Sequence, residues 1–185
     1  GQLVNVCGST DVLALCVDRA KPHTDFLTRA LGVGKRWLAV QTIAAAGNAL
    51  DWVARTLFSE MSREQFFKLV EQQARSKAVD ERFDSRLAGS RTSLEEIRGS
   101  ISNLTLGSTR ESILRAILDD LARQSAERIE RLSTQRNPPK SEVMLSGGAD
   151  VLASVLHRDW PKQFRFKPEE NATLRGLWVL AESAR

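Results

Sequence analysis

The stretch EVMLSGGADV, Glu142 to Val151, decides how this chain is read. An apolar run leads into Gly147-Gly148, and a segment with helical spacing follows at once. Strand, two glycines, helix is one way to bring a backbone close to a phosphate. Without Cβ atoms, the N–H groups approach an anion at the positive end of the helix. The same residues also make an ordinary tight connection, and this stretch alone leaves both readings open.

Working outward, LVNVC and VLALCV are aliphatic runs separated by the turn-like GSTD, which predicts a hairpin over residues 2–18. KPHTDFLTRALGVGK, punctuated by Gly32 and Gly34, is expected to be a loop, and RWLAVQTI a third strand. Leu50, Val53, Ala54 and Leu57 recur at helical spacing, and Ser62 with Gln65 makes a capping box for a second helix. FDSRLAGSRT reads as a polar loop and GSISNLTL as a short strand or extended approach. The longest helix is expected to start at Ser108, capped with Glu111. It carries Ile113, Leu114, Ile117, Leu118 and Leu121, turns more polar later, and ends at Asn137-Pro138-Pro139. EVMLS then predicts a buried strand, ADVLASVL a helix and QFRF a short strand. A last helix carries Leu174, Leu177, Trp178 and Ala181. Three strands first, then alternating helices and strands, predict an α/β domain with a mixed sheet.

The chain has 185 residues, 42% of them hydrophobic and 27% charged, which suits one sizeable core. The net charge of +4 is scattered among acids with no basic block, so nucleic acid is not an expected partner, and no apolar run is long enough to span a bilayer, so neither is a membrane. Cys7 and Cys16 are too few for a disulfide framework and are expected as buried thiols in a reducing cytoplasm. His23 and His157 lack partners at ligand spacing, so no metal site and no catalytic histidine is expected. The four tryptophans are expected in core or edge packing, and Asp119 and Asp120 as surface or capping residues. Asp11 either orients Ser9 or Thr10 or stabilises the turn. The opening GQLVNVCGST has no initiator Met and no signal-peptide pattern. It is expected to follow a processing site, a cloning scar or a cut through a longer protein.

Two further joints accompany Gly147-Gly148. CGSTD sets Gly8, Ser9 and Thr10 at a hairpin tip, where small hydroxyl residues with free N–H groups suit a terminal phosphate. AAAGNALDW sets Gly47 just before a helix. Any one of these is an ordinary turn, but three in one α/β chain raise the expectation of a divided cradle for phosphates and a nucleoside.

At these residues the chain resembles the carboxy-terminal half of the FGGY family of carbohydrate kinases. The resemblance runs through LVNVCGSTDVLALC, AAAGNALDWVARTLF, FDSRLAGSRT, GSISNLTLGSTRESILRAILDDLA, VMLSGGAD and ATLRGLWVLA, in that order. It departs at Asn103, where the family has Gly, and at Ser112, where it prefers an acid, amide or His. Asp84-Ser85-Arg86 replaces a Pro-Tyr region, and Ser90 replaces the acid before Arg91.

The resemblance implies an actin-like ATPase, ribonuclease H-like fold: a mixed sheet flanked by helices, with residues 1–185 as a single domain. It implies that Gly8, Ser9 and Thr10 face the γ-phosphate. Gly47 would lie against the phosphate chain with Asp51 one turn on. Gly147, Gly148 and Ala149 would pass beneath the α-phosphate and ribose, and Leu152 would offer adenine apolar contact. ATP and magnesium are the implied cofactors. A sugar or polyol is the implied substrate, held through an amino-terminal half that also carries the catalytic base, so the chain alone is expected to be inactive. A homodimer stays open. The other reading is a non-catalytic sensor or scaffold with a degenerate nucleotide site, which Asn103, Ser112 and Leu152 favour.

Overall fold

A computed structural model describes residues 1–32, 34–89, 96–135, 137–147 and 150–183. The hairpin forms as expected, from β1 (Leu3–Cys7) and β2 (Asp11–Val17). It continues into β3 (Leu27–Ala30) and β4 (Trp37–Ile43). The helices α1 (Gly47–Leu57) and α2 (Arg63–Ala74) follow, then a small ribbon of β5 (Arg82–Asp84) and β6 (Ser100–Ser102). After α3 (Arg110–Ser133) come β7 (Glu142–Ser146), α4 (Asp150–Leu156), β8 (Arg165–Pro168) and α5 (Ala172–Ser183). The main sheet has the order β3-β4-β2-β1-β7-β8. β1 pairs antiparallel with β2 and parallel with β7, so the change of strand sense falls at β1, and the sheet is mixed as predicted.

One face of this sheet is covered. Leu3, Asn5 and Cys7 of β1, Asp11, Leu13 and Leu15 of β2, and Ala39, Gln41 and Ile43 of β4 all turn inward at the two-residue period of a strand. α3 lies across them. Its 24 residues give about 36 Å at 1.5 Å per residue, enough to join two apolar clusters. Leu114 to Leu121 pack with α1, α2 and α4, whereas Ile129 and Leu132 pack with Leu3, Leu13, Leu15 and Trp160.

Several expectations are corrected. β3 lies inside the expected loop, because residues 27–30 find a partner edge in β4 that no local pattern announces. The capping box of α3 is formed by Thr109 and Ser112, one residue later than Ser108 and Glu111. The Thr109 N–H donates to Ser112 Oγ at 3.0 Å, and the Ser112 N–H to Thr109 Oγ1 at 3.1 Å. Helix α3 ends at Ser133, before the prolines, and its polar second half is not exposed throughout, since Ser125 and Arg128 are buried. β7 is fully buried only at Val143. Asp120 is buried rather than superficial, and it ties the loop after β5 to α3 by accepting from the Ser85 N–H at 2.7 Å. The stripe on α5 is helical but faces solvent, with Trp178 65% exposed, whereas Trp160 is buried. Cys7 is buried as expected and Cys16 half-buried.

Between the two apolar clusters lies a buried polar group. Arg128 of α3 pairs with Asp11, which settles the question left by the sequence: this carboxylate turns to α3 rather than to Ser9 or Thr10. Asn5 Nδ2 donates to Asp11 Oδ1 at 2.7 Å and to Val12 O at 3.1 Å, which leaves Asn5 Oδ1 as an acceptor. The Cys7 thiol donates to that oxygen at 3.0 Å, and His157 Nε2, 2.6 Å away, must therefore carry its proton. His157 also stacks on Phe166 at 3.9 Å. Burial, with help from Arg128 and only partly opposed by Asp11, lowers the His157 pKa to about 4. Burial and then Asp11 push the Cys7 thiol upward, so it stays protonated.

Backbone contact explains the first glycine of the β7–α4 joint. Gly147 has φ +114°, and a Cβ there would lie 1.9 Å from Cys7 O, which no side chain allows.

Two outcomes follow. His157 is neutral when folded but takes up a proton near pH 6.5 when unfolded. Stability is therefore complete above about pH 6.5 and falls as pH drops toward 4, by up to about 3 kcal/mol. Urea titrations across this range should show the slope, and His157→Gln should flatten it; an equal slope in the variant would assign the effect elsewhere. Gly147→Ala should cost about 3 kcal/mol or more. Gly176→Ala, whose Cβ meets nothing within 4 Å in α5, should be neutral or stabilising by up to about 1 kcal/mol in the same titration.

Candidate functional site

α1 begins without a capping side chain, because Ala46 stands at its N-cap. Its first N–H groups are satisfied by the hairpin instead. Ala46 and Asn48 both donate to Ser9 O at 3.1 Å, and Gly47 donates to Gly8 O at 3.0 Å. Gly47 has to be glycine, since a Cβ would stand 2.7 Å from Gly8 O. The positive end of α1 is thus closed by carbonyl oxygens, and what Gly47 gives the site is close approach rather than a free N–H.

The hairpin tip itself is open. The Gly8 N–H donates back to Thr10 O at 3.0 Å. The N–H groups and hydroxyls of Ser9 and Thr10 make no hydrogen bond to another described residue. These are the donors that a phosphate oxygen accepts from.

Beside the tip lies a cleft of about 170 Å³ lined by Cys7, Gly8, Ser9, Gly47, Leu50, Asp51, Arg63, Phe67 and Leu152. It gathers Gly8, Ser9, Gly47, Asp51 and Leu152, five of the residues expected from sequence, out of three separate segments. Thr10 sits at the tip outside the lining, and Gly147 lies behind Cys7. Gly148 and Ala149, like Ser90 and Arg91, fall outside the described residues. Leu152 is 1% exposed, so it closes the floor of the cleft as part of the core. Asp51 is half-buried and makes no hydrogen bond or ion pair to another described residue.

Sequence reasoning missed Arg63 and Phe67. Arg63 is the first residue of α2, and its guanidinium stands 5.3 Å from the Phe67 ring centroid one turn on. A cation in the first turn of a helix opposes the helix dipole, and that was the available signal. Arg63 makes no ion pair with a described residue, and its exposed guanidinium lies in the cleft lining. A groove of about 480 Å³ shares Asp51, Arg63 and Phe67 with the cleft and extends it along α1 past Phe58, Met61 and Phe66. The grooves beside Asp18 and Gln135, and between β4 and α3, contain none of the three glycine joints.

No group of three or more His, Cys, Asp or Glu side chains converges to hold a metal among the described residues. Asp51 is the one carboxylate in the cleft lining. Magnesium is commonly held by one or two carboxylates together with substrate phosphates and water, so this donor set fits magnesium that arrives with phosphates.

Two departures from the family pattern are absorbed structurally. Asn103 has φ +61°, the left-handed conformation that glycine favours and asparagine tolerates, and its Nδ2 donates to Asp80 O at 3.1 Å. Ser112 completes the α3 cap and donates to Glu81 Oε1 at 2.7 Å. That bond helps to hold the Glu81 carboxyl below its ordinary pKa, after the Ser108 hydroxyl.

Comparison with curated protein sequences finds no match. Solved structures match in fold. Xylulose kinase from Rhodospirillum rubrum superposes with a TM-score of 0.78 at 18% identity, over 100% of this chain and 38% of that one. A ligand-bound xylulose kinase from Lactobacillus acidophilus gives 0.78 at 18% identity, over 99% of this chain and 38% of that one. Plasmodium falciparum glycerol kinase with ADP gives 0.65 at 13% identity, over 98% and 46%. The chain therefore spans less than half the length of these kinases. Residues 3–153 match the FGGY family of carbohydrate kinases, C-terminal domain. With its sheet order, hairpin tip and glycine joints in place, the chain belongs to the FGGY family of carbohydrate kinases and corresponds to its C-terminal domain.

Proposed function

We propose that this domain forms the nucleotide-binding wall of an ATP-dependent kinase that phosphorylates a sugar or polyol hydroxyl. The observation that carries this reading is the hairpin tip, whose Ser9 and Thr10 donors have no hydrogen-bond partner among the described residues and stand at the rim of a cleft lined by an arginine with no ion pair among them. Phosphoryl transfer rests on positioning and on charge stabilisation, and both kinds of group are here. Ser9 and Thr10 meet the terminal phosphate, and Arg63 meets the phosphate chain. Asp51 would hold magnesium, which would neutralise phosphate charge. The Gly147 joint, packed against Cys7, carries the chain beneath the α-phosphate and ribose. The adjoining groove, walled by Phe58, Phe66 and Phe67, suits an aromatic base.

The chain spans only 38% of the xylulose kinases that share its fold, which supports a site shared with a second domain. The sugar site and the general base belong to that second domain, and the chain alone is inactive. The protein works in the cytoplasm, with no nucleic-acid or membrane partner, and a homodimer is compatible with this role. Among the described residues no helix is long and apolar enough to cross a membrane. The scaffold alternative loses support from Asn103 and Ser112, which have structural reasons, and keeps only Leu152.

Calorimetric titration of ADP with magnesium tests the proposal. Saturable binding is expected, and Arg63→Ala should weaken it about tenfold by removing a charge-assisted bond. Arg63 is exposed, so its melting temperature should stay unchanged. Absence of saturable binding in the wild-type chain would favour the scaffold role instead.

A further inference from the structure

We infer that the buried Asp11–Arg128 ion pair is a positioning device for the hairpin tip, setting where Ser9 and Thr10 meet the terminal phosphate. This inference rests on the nucleotide-binding role proposed above. Asp11 follows Thr10 directly and is wholly buried, and Arg128 is 5% exposed, 117 residues further along the chain. The guanidinium holds the carboxylate through Nη2 and reaches the Asp11 main-chain oxygen through Nη1 at 3.4 Å. It thereby grips both the side chain and the backbone at the base of the tip. The opposite strand is held as well, since Asn5 of β1 donates to the second Asp11 oxygen. His157, just beyond α4, donates to Asn5 Oδ1, so the same network anchors the segment that leaves the Gly147 joint.

Stability alone does not account for this arrangement. An ion pair withdrawn from water gives little net stabilisation, and well-packed apolar side chains in its place are often as stable or more so. The pair even leaves Arg128 Nε buried without a partner, a further cost. What the pair supplies is direction. Ser9 O and Gly8 O accept from the start of α1, and Arg128 ties the base of the tip to α3. Between these two constraints the tip has one orientation.

The test compares ADP with a non-hydrolysable triphosphate, the β,γ-imido analogue of ATP, in the wild-type chain and in two variants. Asp11→Leu/Arg128→Met removes both charges together and should keep the fold and melting temperature. Arg128→Met alone strands the Asp11 charge and should melt lower. In both variants ADP affinity should stay within about twofold. The preference for the triphosphate should fall by about tenfold or more, as expected for lost charge-assisted bonds. A purely structural pair would change both affinities alike or neither. A double variant that keeps the preference, or a wild-type chain that binds both nucleotides equally, would overturn the positioning role while leaving the nucleotide-binding role intact. A wild-type chain that binds neither overturns both.

Discussion

Three consecutive carbonyl oxygens, those of Cys7, Gly8 and Ser9, organise the rest of the molecule. Cys7 O is approached so closely by Gly147 that no Cβ fits. Gly8 O and Ser9 O take the N–H groups at the start of α1, which has no capping side chain of its own. The hairpin tip is thus the point on which the other two glycine joints rest. The glycines are needed because three backbones meet there, and Cβ atoms would hold them apart.

That convergence separates scaffold from site. Donors at the start of α1 are consumed in holding the tip, while the Ser9 and Thr10 donors have no partner among the described residues. A segment whose N–H groups bind its neighbours cannot also bind a ligand with them, so in the proposed role the phosphate contacts pass to Ser9, Thr10 and the Arg63 side chain. Beneath, α3 reaches across the sheet and contributes Arg128 to the base of the hairpin. At its other end, Arg115 donates to Gln73 O at 2.7 Å and Ser76 O at 2.5 Å and so closes the end of α2. One long helix thereby fixes both the hairpin and the helix that carries Arg63.

Most elements were legible locally because each leaves a local trace. The hairpin shows in LVNVC, GSTD and VLALCV, and the α2 cap in Ser62 and Gln65, where both bonds of the box form. β3 left no trace because a short edge strand is specified by the neighbour it pairs with. The α3 cap was misplaced by one residue because Ser108 and Thr109 both have a hydroxyl. Packing chose Thr109, and Ser108 instead accepts from the Thr105 N–H at 2.9 Å. The stripe on α5 has the spacing of a buried face, yet it stands in solvent in this chain, because spacing describes a face and not what covers it.

The sequence by itself determined the helices, the strands other than β3 and β5, the mixed sheet, the family pattern and the three glycine joints, since each rests on residues within a few positions of one another. Only the tertiary structure decided that Asp11 turns to Arg128, that Asp120 is buried and that Arg63 and Phe67 wall the cleft. These pairings join residues up to 117 positions apart, and no local periodicity encodes which distant side chain meets a buried charge. Burial in a low-dielectric interior makes such a meeting obligatory, and the fold alone determines the partner.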